Sequence, residues 1–192
     1  MTPRRYSRPL ASRCVRLATV AVAMSLTACV TQPLLPYQPS IANEAKLGSM
    51  PRGARLQVTT VGGEPSNVQT TIRTLRVSAP GNGSWSAFLG QALRTELTAS
   101  GNYDASAAVV LEASLTEVKI VDGAAALTGH FVVHTAQGVR YDKVLHVDNR
   151  WDTDFIGVIA ASNGLNHGTE IFQALLQKLF EDPDFIKAVR PA

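Results

Sequence analysis

Between Trp85 and Leu97 the apolar residues return at Trp85, Phe88, Leu89, Ala92, Leu93 and Leu97. This i, i+3, i+4, i+7 spacing predicts a helix with one buried stripe. Gln91, Arg94, Thr95 and Thr98 fall on the opposite side. Ser84 can cap its start, and Gly101 supplies a left-handed stop. Upstream, residues 56–61 (LQVTTV) alternate at period two and read as a strand closed by Gly62-Gly63. Residues 71–77 alternate again and predict one further strand, with Ile72, Leu75 and Val77 apolar and Arg73 and Arg76 between them. Pro80-Gly81-Asn82-Gly83 is a turn leading into the helix.

Beyond the helix the chain turns β-rich. Val109, Leu111, Ala113 and Leu115 alternate with Val110, Glu112, Ser114 and Thr116, and the pattern runs to Ile120 before Asp122-Gly123 breaks it. Residues 127–135 and 139–147 predict two more strands, joined as a hairpin through Gln137-Gly138. A second amphipathic helix is predicted over 169–180, with Ile171, Phe172, Leu175, Leu176 and Leu179 on its apolar face. Asp182-Pro183 opens a short terminal helix that Phe185, Ile186 and Val189 would dock. The order β-β-α-β-β-β-α, with a short helix at the end, predicts a two-layer α+β domain. Its mostly antiparallel sheet would be covered on one face by two amphipathic helices.

The start of the chain follows a different pattern. Arg4, Arg5, Arg8, Arg13 and Arg16 stand without an acid, and an apolar run, LATVAVAMSL, follows from Leu17. A basic flank and an apolar run of this length make an export signal, too short to span a bilayer comfortably. Ordinary cleavage wants small residues at the first and third positions before the cut. Here Leu26-Thr27-Ala28 precedes Cys29, and Leu-Thr-Ala-Cys resembles the bacterial lipoprotein lipobox. That resemblance implies cleavage between Ala28 and Cys29, a diacylglyceryl group on the Cys29 sulfur and acylation of the new N-terminus. Val30 in place of aspartate implies sorting to the outer membrane.

Charge and cysteine content agree with an exported protein. Removing residues 1–28 takes away five of the 18 basic residues and none of the 15 acidic ones, turning a net charge of +3 into −2. The basic character of the whole chain therefore belongs to the signal and gives no ground for nucleic-acid binding. Cys14 goes with the signal and Cys29 would be blocked by lipid, leaving neither free thiol nor disulfide. Residues 29–54 hold Pro33, Pro36, Pro39 and Pro51 and predict a semi-extended tether behind the lipid. At about 3.1 Å per residue it would reach on the order of 70 Å. Packing of this segment along the domain is the compatible alternative. Residues 55–192 then make one periplasmic domain.

The segment FLGQALRTELTASGNYDASAAVVLEASLTEV is similar to the centre of the YajG-like outer-membrane lipoproteins, with a helix ending at a small-Gly-aromatic step and then an alternating Leu/Val strand. The closing LFEDPDFIKAV and the Ala-Gln-Gly turn fit as well, so the likeness spans roughly 56–189. The auxiliary lipoproteins of ABC-type transport systems are similar in outline. The resemblance implies an envelope lipoprotein with a periplasmic α+β domain and brings no catalytic residues and no cofactor. Residues 155–167 depart from the family pattern.

Candidate chemistry is sparse. His130 and His134 are four apart on a predicted strand, about 13 Å, too far for one metal. With a three-residue hairpin loop His130 would oppose His146, yet no third ligand suggests itself, and polar surface histidines are the better reading. Asp152 and Asp154 read as a solvated turn rather than a catalytic pair. Gly81-Asn82-Gly83-Ser84 lacks the lysine of a phosphate loop and reads as a turn and cap. The stretch FIGVIAASNGLNHG, residues 155–168, is apolar and uncharged. It would pack under the sheet or extend the last helix. Its alternative is an exposed surface for a partner protein or lipid, touching through Phe155, Ile156, Val158, Ile159 and Leu165. The leading expectation is a non-enzymatic, outer-membrane-anchored lipoprotein facing the periplasm that binds an envelope protein partner in transport or maintenance. The alternatives are a carrier of lipid or another apolar ligand and, behind it, a hydrolase relying on Asp152, Asp154 or His130.

Overall fold

The computed structural model describes residues 30–191 apart from Asn82. In chain order the elements are β1 (Thr31–Pro33), α1 (Ile41–Gly48), β2 (Gln57–Thr60), β3 (Asn67–Gln69), β4 (Thr71–Ile72), β5 (Leu75–Ser78), α2 (Trp85–Ala99), β6 (Val110–Val121), β7 (Ala124–Thr135), β8 (Gly138–Arg150), α3 (Gly157–Glu181) and α4 (Pro183–Ala188). The fold is α+β. Where period-two alternation runs unbroken the strands are long: β6, β7 and β8 form an antiparallel meander. β2 and β3 pair in parallel with successive parts of β6, Gln57 opposite Val110 and Asn67 opposite Glu117, which makes a mixed five-stranded sheet. A smaller sheet has the order β1-β5-β4, with β1 parallel to β5.

One face of the main sheet carries the core. Leu111, Ala113, Val118 and Ile120 from β6 and Leu127, Phe131 and Val133 from β7 are buried beneath α2 and α3. The helices meet over it: the Phe88 and Phe172 rings lie edge-on at 4.7 Å, and Trp85 stacks on Phe172 at 6.2 Å. α2 is bounded as its sequence predicts. The Ser84 hydroxyl accepts from the Ala87 amide at 3.2 Å, and Gly101 takes a φ of 73°. At the far end Asp182 accepts from the Asp184 amide and starts α4.

Four expectations need correction. The predicted tether over 29–54 is, from Thr31 onward, part of the domain: Leu34, Tyr37, Leu47 and Met50 are buried in the core. Its prolines forbid a helix interior but suit an edge strand and the approach to a helix. Pro33 ends β1, and Pro39 precedes the start of α1. The Tyr37 hydroxyl at 2.5 Å, the Asn43 amide at 2.8 Å and the Ser40 backbone N–H at 3.1 Å all donate to Glu96 Oε1. Burial, then the hydrogen bond to Glu96 and its charge, push the Tyr37 hydroxyl far above its ordinary pKa.

Residues 71–77 are a hairpin rather than one strand. Ile72 and Leu75, three apart, cannot share one face of a straight strand; folding back sets them opposite each other. The second long helix begins at Gly157 rather than near Thr169, so the small-residue stretch extends it. The β7–β8 loop has two residues and a bulge follows at Val133/His134. His130 therefore opposes Val144, and Thr128 opposes His146.

Candidate functional site

Ala28 and Cys29, the predicted cleavage and lipidation residues, lie outside the described residues. Only Val30 separates Cys29 from Thr31, the first residue of β1. Thr31 pairs with Arg76, and the neighbouring Leu75 pairs with Ile72 across the tight turn at Arg73-Thr74. That turn thus stands at the end of the small sheet where β1 begins.

Arg73 joins this end to the rest of the domain. Its Nε donates to Asp122 Oδ2 at 2.8 Å, Nη1 donates to the Phe155 carbonyl at 3.1 Å, and Nη2 donates to the Asp154 carbonyl. Asp122 sits in the β6–β7 turn, where the Trp151 amide also donates to Gly123 O at 3.1 Å. Three connections therefore converge: β4–β5, β6–β7 and β8–α3. Arg73 does this with a φ of 56°, a left-handed conformation uncommon for a residue with a Cβ.

Out of this junction rises an apolar tip. Phe155 is 100% exposed, Val158 75%, Ile156 57% and Ile159 41%. One turn later α3 enters the core: Ala160 is buried and so is Leu165. The small residues beyond the tip are explained by contact. A Cβ on Gly164 would stand 2.4 Å from Ile72 Cδ1, and one on Gly168 would stand 2.8 Å from Leu34 Cδ2. The helix therefore lies directly on the small sheet, with Gly164 beside β4 and Gly168 beside the chain just past β1. α3 and β1 run the same way, and their N-terminal ends share one pole. The five predicted contact residues thus divide: Phe155, Ile156, Val158 and Ile159 face solvent, whereas Leu165 belongs to the core.

The remaining candidates stay apart. His130 Nε2 lies 2.6 Å from Asp142 Oδ1, His134 Nε2 lies 3.4 Å from Glu112 Oε2, and His146 Nδ1 lies 2.8 Å from Thr128 Oγ1. Among the described residues no group of three His, Cys, Asp or Glu side chains is placed to hold a metal. Asp154 Oδ2 accepts from Asn163 Nδ2 at 2.6 Å, while Asp152 is exposed. Gly81 and Gly83 both take positive φ ahead of Ser84, and Asn82 lies outside the described residues.

One cluster is not read from the sequence. Lys143 Nζ reaches Asp182 at 2.9 Å and Asp184 at 2.6 Å, and the Tyr141 hydroxyl donates to Asp182 at 3.0 Å. Burial pushes the Asp182 carboxyl up, but Lys143, the Asp184 amide and Tyr141 outweigh it and hold that pKa below its ordinary value. The cluster docks α4 on β8. The Asp-Pro cap was its only local signal, since the partners lie on a strand far away in sequence.

No protein-family model matches the chain, and no curated protein matches it. Among solved structures, a Xanthomonas campestris protein described as DUF330 superposes with a TM-score of 0.50 at 11% identity, covering 79% of this chain and 95% of that one. A Caulobacter crescentus protein provisionally named a lipoprotein gives a TM-score of 0.43 at 13% identity, covering 77% and 95%. The first likeness shows the fold alone.

Proposed function

We propose that the chain is a non-enzymatic bacterial lipoprotein, acylated at Cys29 and held on the periplasmic side of the outer membrane. There its domain serves as a partner-binding accessory of envelope transport or maintenance. The observation that carries this reading is the sequence Leu26-Thr27-Ala28-Cys29 behind a basic flank and a short apolar run. Kinship with the YajG-like lipoproteins and the likeness to ABC-type auxiliary lipoproteins belong to the same proposal. Among the described residues no helix is long and apolar enough to cross a membrane. Acyl chains fill the role of anchor: one holds marginally, two or more firmly.

Anchoring acts by concentration. A domain confined to a thin layer meets partners in that layer as if they were far more abundant. A non-catalytic role is supported by the placement of the polar candidates, each engaged with a separate neighbour or exposed on its own. The carrier alternative has less behind it, because Phe88, Phe131, Phe172 and Phe180 fill the space between helices and sheet.

The test is Cys29→Ser in a Gram-negative host. The expected outcome is release of the protein from the membrane fraction, with wild-type material carrying the mass of an acylated N-terminal cysteine. A serine variant that stays with membranes after carbonate washing would refute the anchor.

A further inference from the structure

We infer that the tip made by Phe155, Ile156, Val158 and Ile159 inserts into the lipid surface that carries Cys29, so the domain stands on the bilayer with this pole down. The inference rests on the lipid anchor proposed above and adds what the anchor alone does not give, an orientation.

The first ground is reach. A residue of extended chain spans at most about 3.6 Å. With Val30 alone between Cys29 and Thr31, the acylated residue has only about 7 Å of slack before β1 fixes it to the domain. A tether of tens of ångströms would let any face turn toward the lipid. This one does not. The pole at which β1 begins is obliged to lie near the membrane.

The second ground is what that pole displays. α3 and β1 start at the same end, as the contacts of Gly164 with Ile72 and of Gly168 with Leu34 require. The first residues of α3 and the two before it put four large apolar side chains into solvent, one of them fully. Exposed apolar clusters mark contact surfaces. Their backbone is also braced, because Arg73 holds the carbonyls of Asp154 and Phe155 from a turn in left-handed conformation. A wedge fixed before it meets its target loses less freedom on contact.

The third ground is charge, which selects the mode of binding. Arg73 is paired with Asp122, and Asp154 is hydrogen-bonded to Asn163. Arg76, Arg150 and Asp152 are exposed, so that Arg73, Arg76 and Arg150 stand against Asp122, Asp152 and Asp154. The pole is close to neutral, so attraction to anionic headgroups contributes little and apolar burial dominates. A short apolar helix end dipping into the headgroup boundary, together with an acyl anchor, satisfies the two-signal requirement for firm attachment.

The experiment uses the full acylated protein carrying Phe155→Trp, reconstituted in phosphatidylethanolamine–phosphatidylglycerol vesicles with brominated acyl chains. Wild-type protein supplies the background of Trp85 and Trp151, and intact mass verifies the lipid on Cys29. The emission added by the new tryptophan should be lost in brominated vesicles and should stay lost in high salt. Acylated protein whose added emission survives bromination overturns the inference and leaves the anchor standing. An unmodified Cys29 overturns both. A photo-reactive phenylalanine at position 158 that captures a discrete protein in intact cells, instead of lipid, also overturns it by assigning the tip to a protein partner.

Discussion

At the scale of single residues, Glu96 decides where the first part of the domain goes. It is fully buried on α2, and one of its oxygens gathers Tyr37, Asn43 and the Ser40 amide from a segment distant in sequence. Hydrogen bonds to charged groups contribute about 1.5–3 kcal/mol each, and donors left buried without a partner cost a similar amount. Glu96→Ala should therefore destabilise the domain by about 3 kcal/mol or more in urea unfolding. Asp182 gives a prediction with a sign in pH. Its folded pKa is lowered, so its contribution is present above the unfolded carboxyl value of about 4 and is lost as pH falls through the folded one. Lys143 is raised, through hydrogen bonds to Asp184 and Asp182, so its contribution persists below about 10.4 and fades as pH climbs through its folded value. Asp182→Asn keeps an oxygen to cap α4 but loses the ion pair. Its thermal stability should lie below wild type at neutral pH, and the two curves should converge below pH 4.

At the scale of elements, the contact between α3 and the small sheet depends on side chains that are absent. Gly164→Leu would drive a branched side chain into Ile72, and overpacking of this kind costs about 1–3 kcal/mol. Adding Ile72→Ala should recover part of that loss in chemical denaturation, whereas two independent sites would simply add. This level also shows what a sequence can disclose. The meander, α2 and α4 were legible because alternation, helical spacing and caps act over a few residues. β1, β3, α1 and the break at Arg73-Thr74 were not. Their partners are remote, and proline or a short strand carries too little local preference to reveal them. The odd spacing of Ile72 and Leu75 was the one available clue to the hairpin. The apolar tip was visible as a candidate surface, but its division at Leu165 depended on where α3 sinks into the core.

At the scale of the whole molecule, the domain begins at Thr31 rather than near Arg55. Leu34, Tyr37, Leu47 and Met50 are large buried side chains, and burying each such group stabilises by about 1.5–3 kcal/mol. Together they rival the roughly 5–15 kcal/mol that holds a typical domain folded. A chain starting at residue 55 should bind hydrophobic dye and lack a cooperative melt, while one starting at residue 30 should melt sharply. The parallel pairing of β2 and β3 with β6 has a further consequence, one of timing. β6, β7 and β8 join neighbours through tight turns and can zip together early. Gln57 must instead wait for Val110, and pairings between distant stretches are slow because the intervening loop has to close first. β2 and β3 are thus the last to find their strand partners, and during that interval the first third of the domain trails unpaired beside a meander that has already formed.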